Sequence, residues 1–175
     1  MRIKEILDRN IEGNLETDFY TPIRIEFPLN DSKEDELFYY RFINEKSSFI
    51  EISINSLTYK IVDITVTSLN DMSRLDENIN FKEDLISQKG NLLVDINIFK
   101  GNPIVTNNNN FKIYKGNKII YCILAKEDRK IIVKLSENVS VLLNSKRKVI
   151  GLIFTGFLEN QWRELNESIS ASLNI

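Results

Sequence analysis

Apolar and polar residues alternate through much of the chain, and a period of two is typical of β-strands that are buried on one face. The first clear run places Ile23, Ile25 and Phe27 between charged residues. A proline flanks this run on each side, which favours an edge strand. Runs of similar character predict further strands at 37–43, 49–55, 59–67, 92–99, 111–114, 119–125, 131–135, 139–143 and 149–154.

The run at 59–67 changes parity part way along. Tyr59 and Ile61 fall on one face of the predicted strand, whereas Val62, Ile64 and Val66 fall on the other. One extra residue produces such a shift, because side chains in a strand alternate strictly between its two faces. The pattern therefore predicts a β-bulge in this strand.

Two segments have helical spacing instead. Ile3, Ile6 and Leu7 recur with charged residues between them, which predicts a short helix over residues 2–11. Near the C-terminus an apolar stripe predicts an amphipathic helix that packs on the sheet, with its tryptophan as the largest buried group. The stripe consists of Leu158, Trp162, Leu165, Ile169 and Leu173.

Together these elements predict a β-rich α+β fold. We expect a short N-terminal helix and one antiparallel sheet system that forms a meander in the second half, with the C-terminal helix packed on it. A chain of 175 residues fits a single domain, 1–175, because it can bury about 70% of its unfolded surface. Turn-forming residues dominate 70–91, and a sub-domain boundary would fall there.

Charge and hydropathy limit the expected partners and location of the protein. The net charge of −2 and a pI near 5.4 disfavour a nucleic-acid partner, because nucleic-acid-binding domains usually carry a basic excess. The N-terminus lacks the apolar segment of a targeting signal. Apolar runs such as 119–125 are too short to cross a bilayer, so no membrane partner is expected. The cytoplasm is the expected location.

The inventory of chemical groups excludes several classes of enzyme. The chain has no histidine and one cysteine, Cys122, which lies in an apolar run. Ser-His-Asp and Cys-His nucleophiles, His-ligated zinc and iron–sulfur clusters are therefore excluded. Neither phosphate-binding glycine motif occurs. We expect no catalytic residues, no cofactor and no metal site, although a carboxylate-dependent enzyme remains an alternative.

One candidate interaction segment is an acidic loop at 30–36. Glu34, Asp35 and Glu36 lie next to each other between two predicted strands. A solvated surface loop explains them, and so does a docking surface for a basic partner.

A second candidate is the aromatic run at 38–42. Alternation places Tyr39 and Arg41 on one face of the strand, opposite Phe38, Tyr40 and Phe42. The run fits a strand that is covered on both faces. Alternatively, Tyr39 and Arg41 are exposed interface anchors, because tyrosine and arginine are favoured at binding hot spots. Aromatic side chains also bind sugars, so a carbohydrate-binding module is a further alternative.

A third candidate arises from turn geometry. Alternate turns of a meander emerge at the same end of a sheet, so the turns at 126–130 and 144–148 should lie together. Their cations form a basic cluster that suits either a solvated rim or an acidic partner. The members are Lys126, Arg129, Lys130, Lys146, Arg147 and Lys148, and we take Arg129, Lys146 and Arg147 as the candidate contacts.

The chain has two resemblances. Residues 137–154 resemble a hairpin unit of small bacterial domains of unknown function, with a return strand of two apolar residues, Gly151 and three apolar residues. The whole chain, small, mildly acidic and α+β, is similar to immunity proteins of bacterial polymorphic and contact-dependent toxin systems. That resemblance implies a non-enzymatic protein whose partner is a toxin encoded by an adjacent gene. A structural or assembly subunit of a phage or secretion apparatus is the main alternative.

Overall fold

A computed structural model describes residues 1–8, 12–28, 36–69, 72–74, 85–108 and 110–172. The first eight strands are β1 (Ile3–Leu7), β2 (Asn14–Glu16), β3 (Ile23–Glu26), β4 (Leu37–Ile43), β5 (Phe49–Asn55), β6 (Ile61–Ser68), β7 (Met72–Arg74) and β8 (Ile86–Lys89). The other strands are β9 (Asn91–Val94), β10 (Ile104–Asn108), β11 (Lys112–Lys115), β12 (Ile120–Ile123), β13 (Ile131–Lys134), β14 (Val139–Leu143) and β15 (Val149–Phe154). A 3₁₀ helix (Ile96–Ile98) follows β9, and an α-helix, α1 (Glu159–Ser172), follows β15.

The strands form two large sheets and a small ribbon. One sheet has six strands in the order β10-β4-β5-β6-β3-β2, and the other has seven in the order β7-β11-β12-β15-β14-β13-β8. The ribbon consists of β1 and β9. It contacts both sheets, through a bridge between Lys60 and Leu93 and a bridge between Arg2 and Lys148. The protein is therefore β-rich, as expected.

The two large sheets share one apolar core. Ile25, Ile52 and Ile64 from the six-stranded sheet belong to the same buried cluster as Val141 and Leu152 from the seven-stranded sheet. Each of these side chains is fully buried. Burial of this kind is the main source of stability, at about 25 cal/mol per Å² of apolar surface.

The expectation of purely antiparallel sheets is wrong at three edges. Strands β10, β7 and β8 pair in parallel with β4, β11 and β13, respectively. All three are terminal strands of a large sheet. Apolar alternation reports which face of a strand is buried but not the direction of its neighbour, so the sequence pattern could not reveal parallel pairing.

The predicted meander is also wrong in one respect. Strands β13, β14 and β15 are joined by consecutive hairpins, but β12 lies beside β15 and not beside β13. In a Greek key, three consecutive strands are joined by hairpins, and a fourth strand lies beside the one at the distant end of that chain segment. Here β13, β14 and β15 are the three strands and β12 is the fourth. Both arrangements have the same alternation and the same turns, so only tertiary packing distinguishes them.

The predicted N-terminal helix is wrong as well. Ile3–Leu7 is strand β1, and its pairing with β9 shifts register between Ile3 and Glu5. The irregularity places Ile3 in the core and Ile6 against it. Ile3 and Ile6 are three residues apart and both face the core because the strand is bulged, and the same spacing is typical of a helix.

The predicted bulge in β6 is confirmed. Ser53 pairs with Asp63 and Ile54 pairs with Ile61, so Val62 has no opposite residue in β5. Ile61 and Ile64 are consequently both fully buried, although they are three residues apart.

The C-terminal helix forms as predicted and contacts β2 and the loop after it. Leu165 and Ile169 are buried in the shared core, and the Gln161 side chain donates a hydrogen bond to the Leu15 carbonyl oxygen at 2.8 Å. Two members of the predicted stripe depart from expectation. Trp162 is half-buried and not the largest buried group, and Leu158 precedes the helix. Leu173 lies outside the described residues.

Trp162→Ala should lower the free energy of unfolding by about 1–3 kcal/mol, less than the ~3–5 kcal/mol of a fully buried ring. The ring contacts Phe157, with 5.3 Å between centroids, and the Lys115 ammonium lies 5.5 Å from its centroid. Urea unfolding followed by circular dichroism measures the change. Leu158→Ala is the control because Leu158 is 63% exposed. Equal effects of the two changes would show that Trp162 contributes nothing to packing.

Candidate interaction site

The hairpin turn at 144–148 is held by a buried asparagine. The Asn144 side-chain oxygen accepts hydrogen bonds from the amides of Lys146 and Lys148, each at 2.9 Å. The Arg147 amide donates to the Asn144 carbonyl oxygen at 2.9 Å. Asparagine favours turns because its side chain can accept from the amides that follow it. The turn therefore presents Lys146 and Arg147, both exposed, on a fixed backbone.

The same turn occurs at 44–48 in the other sheet. The Asn44 side-chain oxygen accepts from the amides of Lys46 and Ser48 at 3.0 and 2.8 Å. The fourth residue of each turn has a positive φ, 60° at Ser47 and 56° at Arg147. This backbone region favours glycine and asparagine, and other residues lose about 1–2 kcal/mol there. Because serine and arginine have nearly the same φ at this position, the turn type and not the side chain sets the conformation.

Arg147→Gly should raise the free energy of unfolding by about 0.5–1 kcal/mol, because glycine adopts a positive φ without steric strain. Ser47→Gly is the matched control and should stabilise the protein by a similar amount. Chemical denaturation of both variants measures the effect. Destabilisation by Arg147→Gly alone would show that the Arg147 side chain contributes more to folding than its backbone strain costs.

The loop at 124–130 meets this turn, as the alternation of turns predicted. β12 ends beside the first residues of β15, and β13 begins beside the last residue of β14. The Glu127 carboxylate accepts from the Lys148 ammonium at 2.6 Å and also from the Asn144 side-chain amide. These two hydrogen bonds lower the pKa of Glu127. Lys148 is therefore partly neutralised, and it ties the loop to the turn.

A cleft of about 470 Å³ lies between strand β1 and this turn. The Ile3 amide donates to the Arg147 carbonyl oxygen at 2.8 Å, and the Arg147 Nη1 donates to the Lys4 carbonyl oxygen at 3.0 Å. These bonds fix the two walls of the cleft relative to each other. The lining residues are Arg2, Ile3, Lys4, Asp95, Ser145, Lys146 and Arg147.

Positive charge is concentrated around this cleft. We define the basic end as residues 1–4, 126–130 and 144–148, which contain eight basic and two acidic side chains. The whole chain carries a net charge of −2, so the rest of the protein is acidic. A charge distribution of this kind steers oppositely charged partners to one end of a molecule.

In the part of the chain that the structure describes, Asp95 is the one carboxylate that lines the cleft, beside four cations. Asp95 caps the 3₁₀ helix, and its Oδ1 accepts from the Asn97 amide at 3.2 Å and from the Asn97 side chain at 2.8 Å. Among the described residues, no acidic side chain forms an ion pair with any of the four cations in the cleft.

Tyr39 and Arg41 lie on the outer face of the six-stranded sheet, whereas Tyr40 and Phe42 point into the core. Arg41 Nε lies 2.6 Å from a Glu51 carboxylate oxygen. Its guanidinium carbon lies 5.9 Å from the ring centroids of Tyr39 and Phe49. Both candidates are half-buried. Arg41 is thus held by its own sheet, on a different element from the basic end.

The other candidate residues are dispersed. Glu36 is exposed just before β4, and Glu34 and Asp35 lie outside the described residues. Arg129 is half-buried in the loop of the basic end, and that loop is joined to the turn at 144–148 through Glu127. The structure therefore brings together the cationic candidates and does not group them with Tyr39 or Arg41.

Sequence reasoning missed Arg2 and Lys4, which line the cleft with Lys146 and Arg147. Because the sequence pattern predicts a helix over residues 2–11, it does not place Arg2 and Lys4 beside the turn at 144–148. The alternation of Arg2, Ile3 and Lys4 carried a signal of a strand, since its charged residues face opposite to the isoleucine. Nothing in the sequence pattern pairs that strand with the distant turn at 144–148.

Cys122 should resist thiol reagents in the folded protein. The side chain is fully buried, and burial raises the pKa of its thiol to about 12, so the reactive thiolate is scarce at neutral pH. Ellman's reagent at pH 8 should modify the thiol only after denaturant is added. Rapid modification of the native protein would show that the strand β12 opens or that the thiol is accessible.

The described residues contain no group of three or more cysteine, aspartate or glutamate side chains arranged to hold a metal ion. In the same part of the chain, no helix has the length and apolar character needed to cross a membrane.

No protein-family model matches the chain, and no curated protein matches it in sequence.

Proposed function

We propose that this protein is a non-enzymatic binding module, and specifically an immunity protein that neutralises a bacterial toxin by forming a stoichiometric complex in the cytoplasm. The toxin would be the product of an adjacent gene. The protein would act by covering the toxin, without turnover of a substrate. The class-level resemblance of the sequence supports this proposal.

The observation that carries the proposal is the basic end. Eight basic side chains are grouped there in a chain whose net charge is −2, and four of them line a cleft without acidic partners among the described residues. Toxin neutralisation must be fast, and charge complementarity raises association rates to about 10⁸–10⁹ M⁻¹s⁻¹ at low salt, compared with ~10⁵–10⁶ M⁻¹s⁻¹ for neutral partners.

The rigidity of the supporting elements is a second reason. Strands β14 and β15 lie in the middle of the seven-stranded sheet, where each pairs with neighbours on both sides. Their connecting turn is fixed by Asn144, and strand β1 is hydrogen-bonded to it. A surface ordered before binding loses little conformational entropy on association, so more of the contact energy appears as affinity.

Co-expression with the product of the adjacent gene tests the proposal. A tag on the neighbour should co-purify this chain at equal molar amounts, and the pair should elute together in size exclusion at physiological salt. A tagged protein from a distant locus is the control. Failure of the neighbours on both sides to form a complex would contradict the immunity proposal, and a complex with a phage tail or secretion component would favour the assembly alternative.

A further inference from the structure

The cleft between strand β1 and the turn at 144–148 has the chemistry of a carboxylate-binding site. Arg2, Lys4, Lys146 and Arg147 line it, and these four cations outnumber Asp95, the one carboxylate among its described lining residues. From this arrangement we propose that the cleft binds an acidic segment of a protein partner, with carboxylates that pair with these four cations. The inference rests on the proposed binding function and identifies the chemistry of the partner's contact segment.

Arg147 is the central contact of this site. Its Nη1 donates to the Lys4 carbonyl oxygen, which directs the guanidinium along the wall formed by β1. The other guanidinium donors remain for a ligand, and the planar fork matches the two oxygens of a carboxylate. The positive φ at Arg147 belongs to the turn itself, since Ser47 has the same conformation in the matching turn of the other sheet.

The size of the cleft is also suitable. A volume of about 470 Å³ lies within the ~300–1,000 Å³ range of pockets that hold small ligands. It admits the side chains of a short segment. The remaining cations of the basic end, including Lys126 and Lys130, lie on the neighbouring loop and attract acidic residues that flank the bound segment.

A protein segment fits these observations better than a nucleic acid. No aromatic side chain of the described residues lines the cleft, whereas single-stranded nucleic acids are usually held by bases that stack on aromatic rings. The protein outside the basic end is acidic overall, so a long phosphodiester backbone would meet repulsion beyond the cleft.

The test uses a hexaglutamate peptide as the probe, with a single-stranded oligonucleotide of six nucleotides and inorganic phosphate as comparison ligands. Chemical shifts of backbone amides are followed at low salt with the intact protein. We expect the peptide to shift the amides at residues 2–4 and 145–148 and to bind more tightly than either comparison ligand.

Two variants of the cleft sharpen this test. Lys146→Glu combined with Arg147→Glu should weaken peptide binding by about tenfold or more, because two attractive contacts become repulsive. Arg147→Gly, which relieves backbone strain, should also weaken binding and thereby separate binding from stability.

Lys89→Glu is the matched control. Lys89 is exposed and lies opposite Lys134, which pairs with Ser140 near the start of β14. It is therefore at the end of the sheet away from the turn at 144–148. This control reverses one charge where the cleft variant reverses two, and it should leave peptide binding unchanged.

Three results would overturn the inference. They are tighter binding of the oligonucleotide, equal loss of binding in Lys89→Glu and the cleft variants, and shifts confined to residues outside the cleft. Failure of the proposed function is a separate result. If the cleft variants do not affect a partner complex, the proposed function is supported and the proposed role of the cleft is contradicted. If the peptide binds but no partner complex forms, the role of the cleft is supported and the proposed function is contradicted.

Discussion

Phe154→Ala should destabilise the protein by about 3–5 kcal/mol, the largest effect we expect from a single substitution. Phe154 is fully buried in the shared core and lies at the end of β15, between Ile120 of β12 and Val139 of β14. Removal of the ring leaves a cavity between the two large sheets, and the surrounding strands are too constrained by their hydrogen bonds to close it completely.

Urea unfolding monitored by circular dichroism measures this loss. Tyr20→Ala is the control, because Tyr20 is an aromatic residue that is 82% exposed, and its effect should stay within about 0.5 kcal/mol. A change of less than about 1 kcal/mol for Phe154→Ala would contradict the burial of its ring in the core shared by both sheets.

Reversal of two charges at the basic end should have the largest effect on partner binding. In Lys146→Glu combined with Arg147→Glu, we expect the dissociation constant of the partner complex to rise by more than about 100-fold, since contacts to paired charges contribute roughly 1.5–3 kcal/mol each. Most of the loss of affinity should come from a slower association rate. The difference in association rate between the variant and the unmodified chain should shrink as salt is added, because screening removes long-range attraction.

Stopped-flow association at several salt concentrations measures this effect. Lys89→Glu is again the control, and its association rate should match that of the unmodified chain. A similar slowing in both variants would mean that overall charge, and not the basic end, governs the encounter. An unchanged rate in the double variant would place the contact surface elsewhere on the protein.

Local patterns predicted some elements well. The strands at Leu37–Ile43 and Phe49–Asn55 have the predicted bounds, because each is a long alternating run that ends at a turn held by an asparagine. The β6 bulge was visible because isoleucines lie on both parities of one strand. The C-terminal helix was visible because its apolar residues recur at helical spacing.

The errors came from pairing between distant segments. In β1, an irregular register with β9 gave Ile3 and Ile6 a spacing that resembles a helix. The parallel edges and the position of β12 beside β15 depend on which strands meet. Periodicity describes one strand at a time, so it carries no information on these choices.

The candidate site shows the same division. The convergence of the turns at 126–130 and 144–148 followed from chain direction and could be predicted. The cleft could not be, because it requires β1 to lie against a turn more than a hundred residues away, as the hydrogen bond between Arg147 and Lys4 shows. The cleft is also separate from Tyr39 and Arg41, because β4 belongs to the six-stranded sheet and the turn at 144–148 belongs to the seven-stranded sheet. The sequence pattern does not show how the strands divide between the two sheets.

The most direct test of the central claim is a titration of toxin activity with this protein. The purified product of the adjacent gene is assayed at a fixed concentration well above the dissociation constant, while the protein is added in increasing molar ratio. Stoichiometric binding predicts a linear loss of toxin activity that ends sharply at one equivalent. Complete loss of activity at a small fraction of one equivalent would indicate catalysis, and no loss at several equivalents would contradict neutralisation by this protein.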